Sequence, residues 1–146
     1  MVPDPSLPAG RSGMQRVRFK RILVLDPDEL WCGAIQGALA AGGYPSCAAS
    51  TAEAGLERLH DRPYDLVMVS CTMGDWVLET LSRNLGALRA PPPLVVIETA
   101  EDAERSEAWR FLKPAATLRR PCASREVLAA AAKLLGPPWV ELAEGA

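Results

Sequence analysis

A chain of 146 residues, 49 % hydrophobic and 23 % charged, has enough apolar mass for one folded domain and is not disordered by composition. A formal net charge of −2 argues against a dedicated nucleic-acid binder, which carries a clustered basic excess. Cys32, Cys47, Cys71 and Cys122 show no C-x-x-C spacing and His60 is the single histidine, so the signatures of a zinc site and a disulfide framework are missing and reduced thiols are expected. No apolar stretch reaches the length of a membrane span and no signal-peptide core follows Met1, which predicts a cytoplasmic chain with no membrane partner.

Residues 1–16 contain Pro3, Pro5, Pro8, Gly10 and Gly13 and read as a flexible arm. Arg11, Arg16, Arg18, Lys20 and Arg21 make its end basic, a solvated lead-in rather than a nucleic-acid arm. Ile22-Leu23-Val24-Leu25 is too short for a helix and rich in branched residues, which predicts a strand. Asp26-Pro27-Asp28 ends it. Pro27 suits a helix entry, and Asp28 and Glu29 suit the positive end of a helix. Leu30, Ala34, Ala38 and Ala41, with Trp31, Ile35 and Leu39, follow a helical period that Gly42-Gly43 closes. Pro45–Ala49 reads as a second strand, and Thr51 caps a second helix carrying Leu56 and Leu59.

Pro63 breaks the chain before Leu66-Val67-Met68-Val69, an apolar run that stops at Ser70. A third helix is predicted over about 75–88, with Leu78, Leu81, Leu85 and Leu88 on one stripe, and three prolines at 91–93 stop it. Leu94-Val95-Val96-Ile97 is the next strand, and a fourth helix spans about 101–112. Residues 117–119 form a short strand before Pro121, Ser124 caps a fifth helix, and Gly136-Pro137-Pro138 ends the domain. The predicted organisation is an arm over 1–16, one domain over 17–136 and a tail over 137–146. Strands that are apolar throughout imply a parallel sheet covered on both faces, and right-handed crossovers make it doubly wound α/β.

Taken together, RILVLDPDEL, YDLVMVS, PLVVIETAED and TLRRPC resemble the receiver domain of bacterial response regulators, from about Arg21 to Leu135. The resemblance implies a flavodoxin-like three-layer sandwich with five parallel strands in the order 2-1-3-4-5, acting in two-component signal transduction. In that family two acids after the first strand help hold Mg²⁺. An aspartate ending the third strand accepts phosphate. A Thr or Ser after the fourth strand, and a Lys before a cis-proline after the fifth, bind the phosphoryl group.

Carried over by position, Asp26 keeps the first acid. Pro27 takes the place of the second, with Asp28 next to it. Ser70 stands at the acceptor position, Thr99 matches the hydroxyl residue, Arg120 replaces the lysine and Pro121 keeps the proline. Thr117 stands where the family has a switch aromatic. This pattern resembles a degenerate receiver that has lost its phospho-acceptor aspartate. Mg²⁺ prefers hard, charged oxygen ligands, and neither a serine hydroxyl nor a proline supplies one. No catalytic residue, no metal and no cofactor is therefore expected. A salt bridge from Arg120 to Asp26 and a cis Arg120–Pro121 bond are expected.

A nucleophilic role for Ser70 needs a base and finds none, since His60 ends the second helix at the opposite edge of the sheet. Cys71 and Cys122 both follow strand ends, where packing explains them better than redox chemistry. Trp109 fits either burial or a partner anchor, and Trp139 is expected to fold back on the domain. Two functions stand. One is a phosphorylation-independent module that binds signalling proteins, or a second copy, through the fourth helix, fifth strand and fifth helix. Glu104, Arg105, Trp109, Arg119 and Arg125 are its expected contact residues. The other is a pocket around Asp26, Ser70, Thr99 and Arg120 that takes a small anion or metabolite.

Overall fold

The computed structural model of the chain describes residues 16–103 and 112–142. Its elements in chain order are β1 (Val17–Phe19), β2 (Ile22–Leu25), α1 (Glu29–Ala41), β3 (Ser46–Ala49), α2 (Ala52–Asp61) and β4 (Leu66–Ser70). They continue with α3 (Asp75–Gly86), β5 (Leu94–Glu98), α4 (Ala100–Ala103), β6 (Ala116–Arg119), α5 (Ser124–Leu135) and β7 (Trp139–Glu141). The remainder of the predicted fourth helix, with Glu104, Arg105 and Trp109, lies outside the described residues, as does most of the predicted arm.

The continuous apolar runs form the middle of one parallel sheet in the order β3-β2-β4-β5-β6. Counted within that sheet, this is the 2-1-3-4-5 order that the resemblance implies. Every residue of β2, β4 and β5 is buried. Alternation sends Ile22, Val24, Met68 and Ile97 to the side packed by Ile35 and Leu39 of α1 and Val127 of α5. It sends Leu23, Val67, Val69 and Val96 to the side packed by Leu78, Leu81 and Leu85 of α3. Each such aliphatic side chain contributes about 1.5–3 kcal/mol by leaving water. The edge strand β6 alternates instead: Ala116 and Leu118 are half-buried while Thr117 and Arg119 are exposed.

Several local expectations are corrected. The buried stripe of α1 is Cys32, Ile35, Ala38 and Leu39, whereas Leu30 is 88 % exposed and Ala34 and Ala41 face solvent. The period is helical, but only one face of that helix meets the sheet. Helix α3 ends at Gly86, and Leu88 is exposed beyond it because no core surface reaches that far. Ser124 does not cap α5. Extended backbone at Ala123 (φ −76°, ψ 153°) makes that residue the cap, with no side-chain bond, and Ser124 is the first helical residue. Thr51 does cap α2, accepting from the Ala54 N–H at 3.2 Å.

The predicted tail contributes a strand. Trp139–Glu141 pairs antiparallel with Val17–Phe19, and the half-buried Trp139 lies opposite Phe19. The Lys20 N–H donates to Pro138 O at 2.8 Å, the Lys20 ammonium to Leu135 O at the end of α5, and the Tyr44 hydroxyl to Gly136 O. Arg18 makes a two-pronged contact with Asp65 at 2.9 and 3.0 Å, and the Arg21 N–H donates to the same carboxylate at 2.8 Å. Asp65 therefore ties the ribbon to the start of β4.

Burial pushes the Asp65 carboxyl up, but the Arg18 guanidinium and the Arg21 N–H together hold it below the ordinary value of 3.8. A lowered folded pKa gives stability that is present above 3.8 and lost as pH falls through the folded value. Asp65→Asn is expected to lower unfolding stability by about 1–2 kcal/mol at pH 7, discounted for the half-exposed Arg18. In urea melts the difference should be smaller at a pH below 3.8 than at pH 7, because this stability is lost as pH falls through the lowered folded value. An equal difference at both pH values would contradict this.

Candidate functional site

Ligands of open parallel sheets bind beyond the carboxyl ends of the strands. Here that edge carries Asp26 after β2, Ser70 ending β4, Thr99 after β5 and Arg120 after β6. Asp26 is wholly buried, and its own N–H donates to Ala49 O at 3.2 Å. Its Oδ1 accepts the Asp28 N–H at 2.9 Å, a local turn that Pro27 spans without offering an N–H of its own. Its Oδ2 accepts from Arg120 Nη1 at 2.9 Å. Asp28 caps α1, accepting from the Leu30 and Trp31 N–H groups at 3.0 and 3.2 Å through Oδ1. Its Oδ2 lies 3.6 Å from Arg120 Nη2.

Arg120 is held from several sides. Its N–H donates to Glu98 O at 2.7 Å, fixing the exit from β6. The bond to Pro121 is cis, as expected from the resemblance. Its Cζ lies 5.1 Å from the centroid of the Trp31 ring, a cation–π stack on the first turn of α1. Only 21 % of the side chain is exposed. Trp31 is a member of the site that the sequence reading counted only as helix packing. Its position three residues after the cap Asp28 was the available signal.

Burial pushes the Asp26 carboxyl above its ordinary value, against the pull of the Asp28 N–H and of Arg120. The neighbouring Cys32 thiol, which donates to Asp26 O at 3.3 Å, is pushed up to about 11 by burial and by the Asp26 charge. Such a thiol carries almost no thiolate at neutral pH and is not a nucleophile. Burial also raises Cys122, helped by Glu126. Cys71 packs in the α3-side core and Cys122 against the α1/α5-side core, so the sheet separates them.

Ser70 is 1 % exposed, and its hydroxyl is engaged within its own loop. It accepts from the Thr72 N–H at 3.2 Å and shares a 2.7 Å hydrogen bond with the Thr72 hydroxyl, capping the short 3-10 turn Cys71–Met73. Gly74, at φ +100°, then redirects the chain into α3. Thr72 is thus a second residue that sequence reasoning missed, although a hydroxyl pair two apart at a strand end is a turn signal. His60 lies near the end of α2, and the length of β4 separates it from Ser70. Thr99 is half-buried beside Glu98, which is 8 % exposed and lies 3.7 Å from Arg119 Nη2. Arg125 is exposed on α5, apart from this cluster.

The donor set does not fit a divalent cation. Both Asp26 oxygens are in use, Asp28 is a helix cap beside a guanidinium, and the Ser70 hydroxyl is committed to Thr72. Among the described residues no group of three or more His, Cys, Asp or Glu could hold a metal ion. What the arrangement can do is hold charge still. One guanidinium bridges two carboxylates on an aromatic base and joins the β6–α5 loop to the start of α1.

Among the described residues no helix is long and apolar enough to cross a membrane. No family model and no curated protein matches the chain. Solved structures do. A response regulator receiver protein from Burkholderia phymatum is similar at 21 % identity and a TM-score of 0.70, over 80 % of this chain and 95 % of that one. A CheY-like receiver domain protein from Methanospirillum hungatei JF-1 gives 20 % and 0.68, over 80 % and 93 %. The signal receiver domain of an HD domain-containing protein from Pseudomonas fluorescens Pf-5 gives 21 % and 0.68, over 81 % and 95 %. At these identities the likeness is one of architecture, and the chain has the flavodoxin-like receiver fold.

Proposed function

We propose that this chain is a phosphorylation-independent pseudo-receiver, a cytoplasmic signalling module that works by binding proteins and performs no catalysis. The observation that carries the reading is the buried Asp26–Arg120 ion pair on Trp31. A carboxylate can attack a phosphoryl group without losing a proton. A serine hydroxyl must lose one, and the partner of Ser70 Oγ is another hydroxyl, which is no base. The rival reading, a pocket for a small anion, is disfavoured by charge. Asp26, Asp28 and Arg120 together carry one net negative charge, and the guanidinium faces the two carboxylates.

The proposed working surface is formed by the fourth helix, β6 and α5. Thr117, Arg119 and Arg125 are exposed on it. With Thr117 in place of an aromatic and Arg120 fixed, this surface is held in one state. Glu104, Arg105 and Trp109 complete it in this proposal, with Trp109 as the aromatic anchor for a signalling protein or a second copy.

Incubation with acetyl phosphate and Mg²⁺ is expected to leave the intact mass of the wild type unchanged, and Ser70→Asp alone should change little because Pro27 and Arg120 remain. A stoichiometric, base-labile adduct on the wild type would contradict the proposal. Trp109→Ala is expected to weaken self-association or partner capture by about 30-fold, equivalent to about 2 kcal/mol, while circular dichroism stays native. Ser70→Ala should leave association intact in sedimentation and pull-down. The reverse pair of results would replace this reading with the pocket-ligand one.

A further inference from the structure

We propose that Cys47 is a site of reversible oxidation, at which a peroxide converts the thiol to a sulfenic acid whose oxygen is held by the Tyr64 hydroxyl. Cys47 is half-buried on β3, the edge strand of the sheet, which pairs within it only with β2. Its side chain packs against the core cluster that contains Tyr64. Tyr64 is 7 % exposed, and its hydroxyl completes no hydrogen bond among the described residues. The group it meets is the Cys47 thiol: burial, and after it that contact, push the phenol up to about 12. A neutral thiol sulfur is a weak acceptor, so the phenol O–H is left without a matching partner. An anionic sulfur, or an oxygen carried on it, is a stronger acceptor and supplies one. Arg58 and Arg62 bring positive charge to the same phenol.

The oxidant is hydrogen peroxide or an organic hydroperoxide. The Cys47 sulfur, as thiolate, attacks one peroxide oxygen; the O–O bond breaks and an S–O bond forms. Sulfur loses two electrons and the peroxide gains them. The leaving oxygen takes up the proton that the thiol released, so hydrogen peroxide yields Cys47–SOH and water. The Tyr64 O–H then donates to the new oxygen. The other cysteines lack this setting. Cys32 and Cys71 are only 4 % and 5 % exposed, and the Cys32 thiol is held up at about 11. Cys122 is half-buried, but burial and the Glu126 charge disfavour its thiolate.

The test uses the full reduced chain, equimolar hydrogen peroxide and dimedone as the sulfenic-acid trap, read by intact mass and peptide mapping. A first dimedone adduct is expected on Cys47, before any on Cys32, Cys71 or Cys122. Cys47→Ser should lose that adduct while circular dichroism stays native. Without the trap, dithiothreitol should return the oxidised chain to its original mass. Tyr64→Phe keeps the ring and removes the hydroxyl. It is expected to slow Cys47 labelling about 10-fold in the folded chain, and to match the wild type in urea, where the two residues no longer meet. A first adduct on another cysteine, or no adduct, would overturn the proposal. So would a folded Tyr64→Phe that labels as fast as the wild type. If Tyr64→Phe does not fold, the wild type decides: Cys47 should label faster in the folded chain than in urea, and a slower folded rate would overturn the role of Tyr64.

Discussion

A carboxylate with no access to water has to be answered by the protein around it. Asp26 directly follows the interior strand β2, before the start of α1, and is wholly buried. The Asp28 N–H and the Arg120 guanidinium answer it. Taking an ion pair out of water is unfavourable enough that such pairs add little net stability, while removing one partner costs about 3–5 kcal/mol. The pair therefore acts on geometry more than on stability. It fixes the turn at Pro27, the cap of α1 and the path of the loop between β6 and α5.

The rest of the molecule makes this geometry possible. Parallel pairing places the ends of β2, β4, β5 and β6 along one edge of the sheet. The two cores clamp the sheet from both faces, so that edge has little freedom. At the other end of the domain the β1–β7 ribbon is secured by Asp65, Lys20 and Tyr44. The strands thus run between an edge fixed by ion pairing and an end tied by the ribbon. In the proposed reading, an edge held this way favours presenting a surface over changing state with a ligand.

Most of the architecture was legible in the sequence. Runs such as Ile22–Leu25 and Leu94–Ile97 are too apolar for anything but two-sided burial, and prolines and glycines mark the ends of most helices. Asp26 and Arg120 were legible through the resemblance, which placed them together and implied their ion pair; the approach of Asp28 to the same guanidinium was not foreseen. Other features were not. Val17–Phe19 and Trp139–Glu141 are three-residue strands without alternation, and their pairing spans nearly the whole chain, so no local signal reveals it. Trp31 looked like core because its spacing is helical, and only the direction of Arg120 makes it part of the site. Leu30 and Leu88 fit a helical stripe yet face solvent, because period alone does not say where the sheet ends.

The central claim is that Asp26 and Arg120 act as one buried, mutually dependent unit. A double-mutant cycle of Asp26→Asn and Arg120→Gln, read by urea unfolding at pH 7, measures that dependence directly. The expected coupling energy is about 1–3 kcal/mol, with the double variant losing much less than the sum of the two single losses. A coupling energy within about 0.3 kcal/mol of zero would mean that the two residues stabilise the fold independently, and would contradict the account.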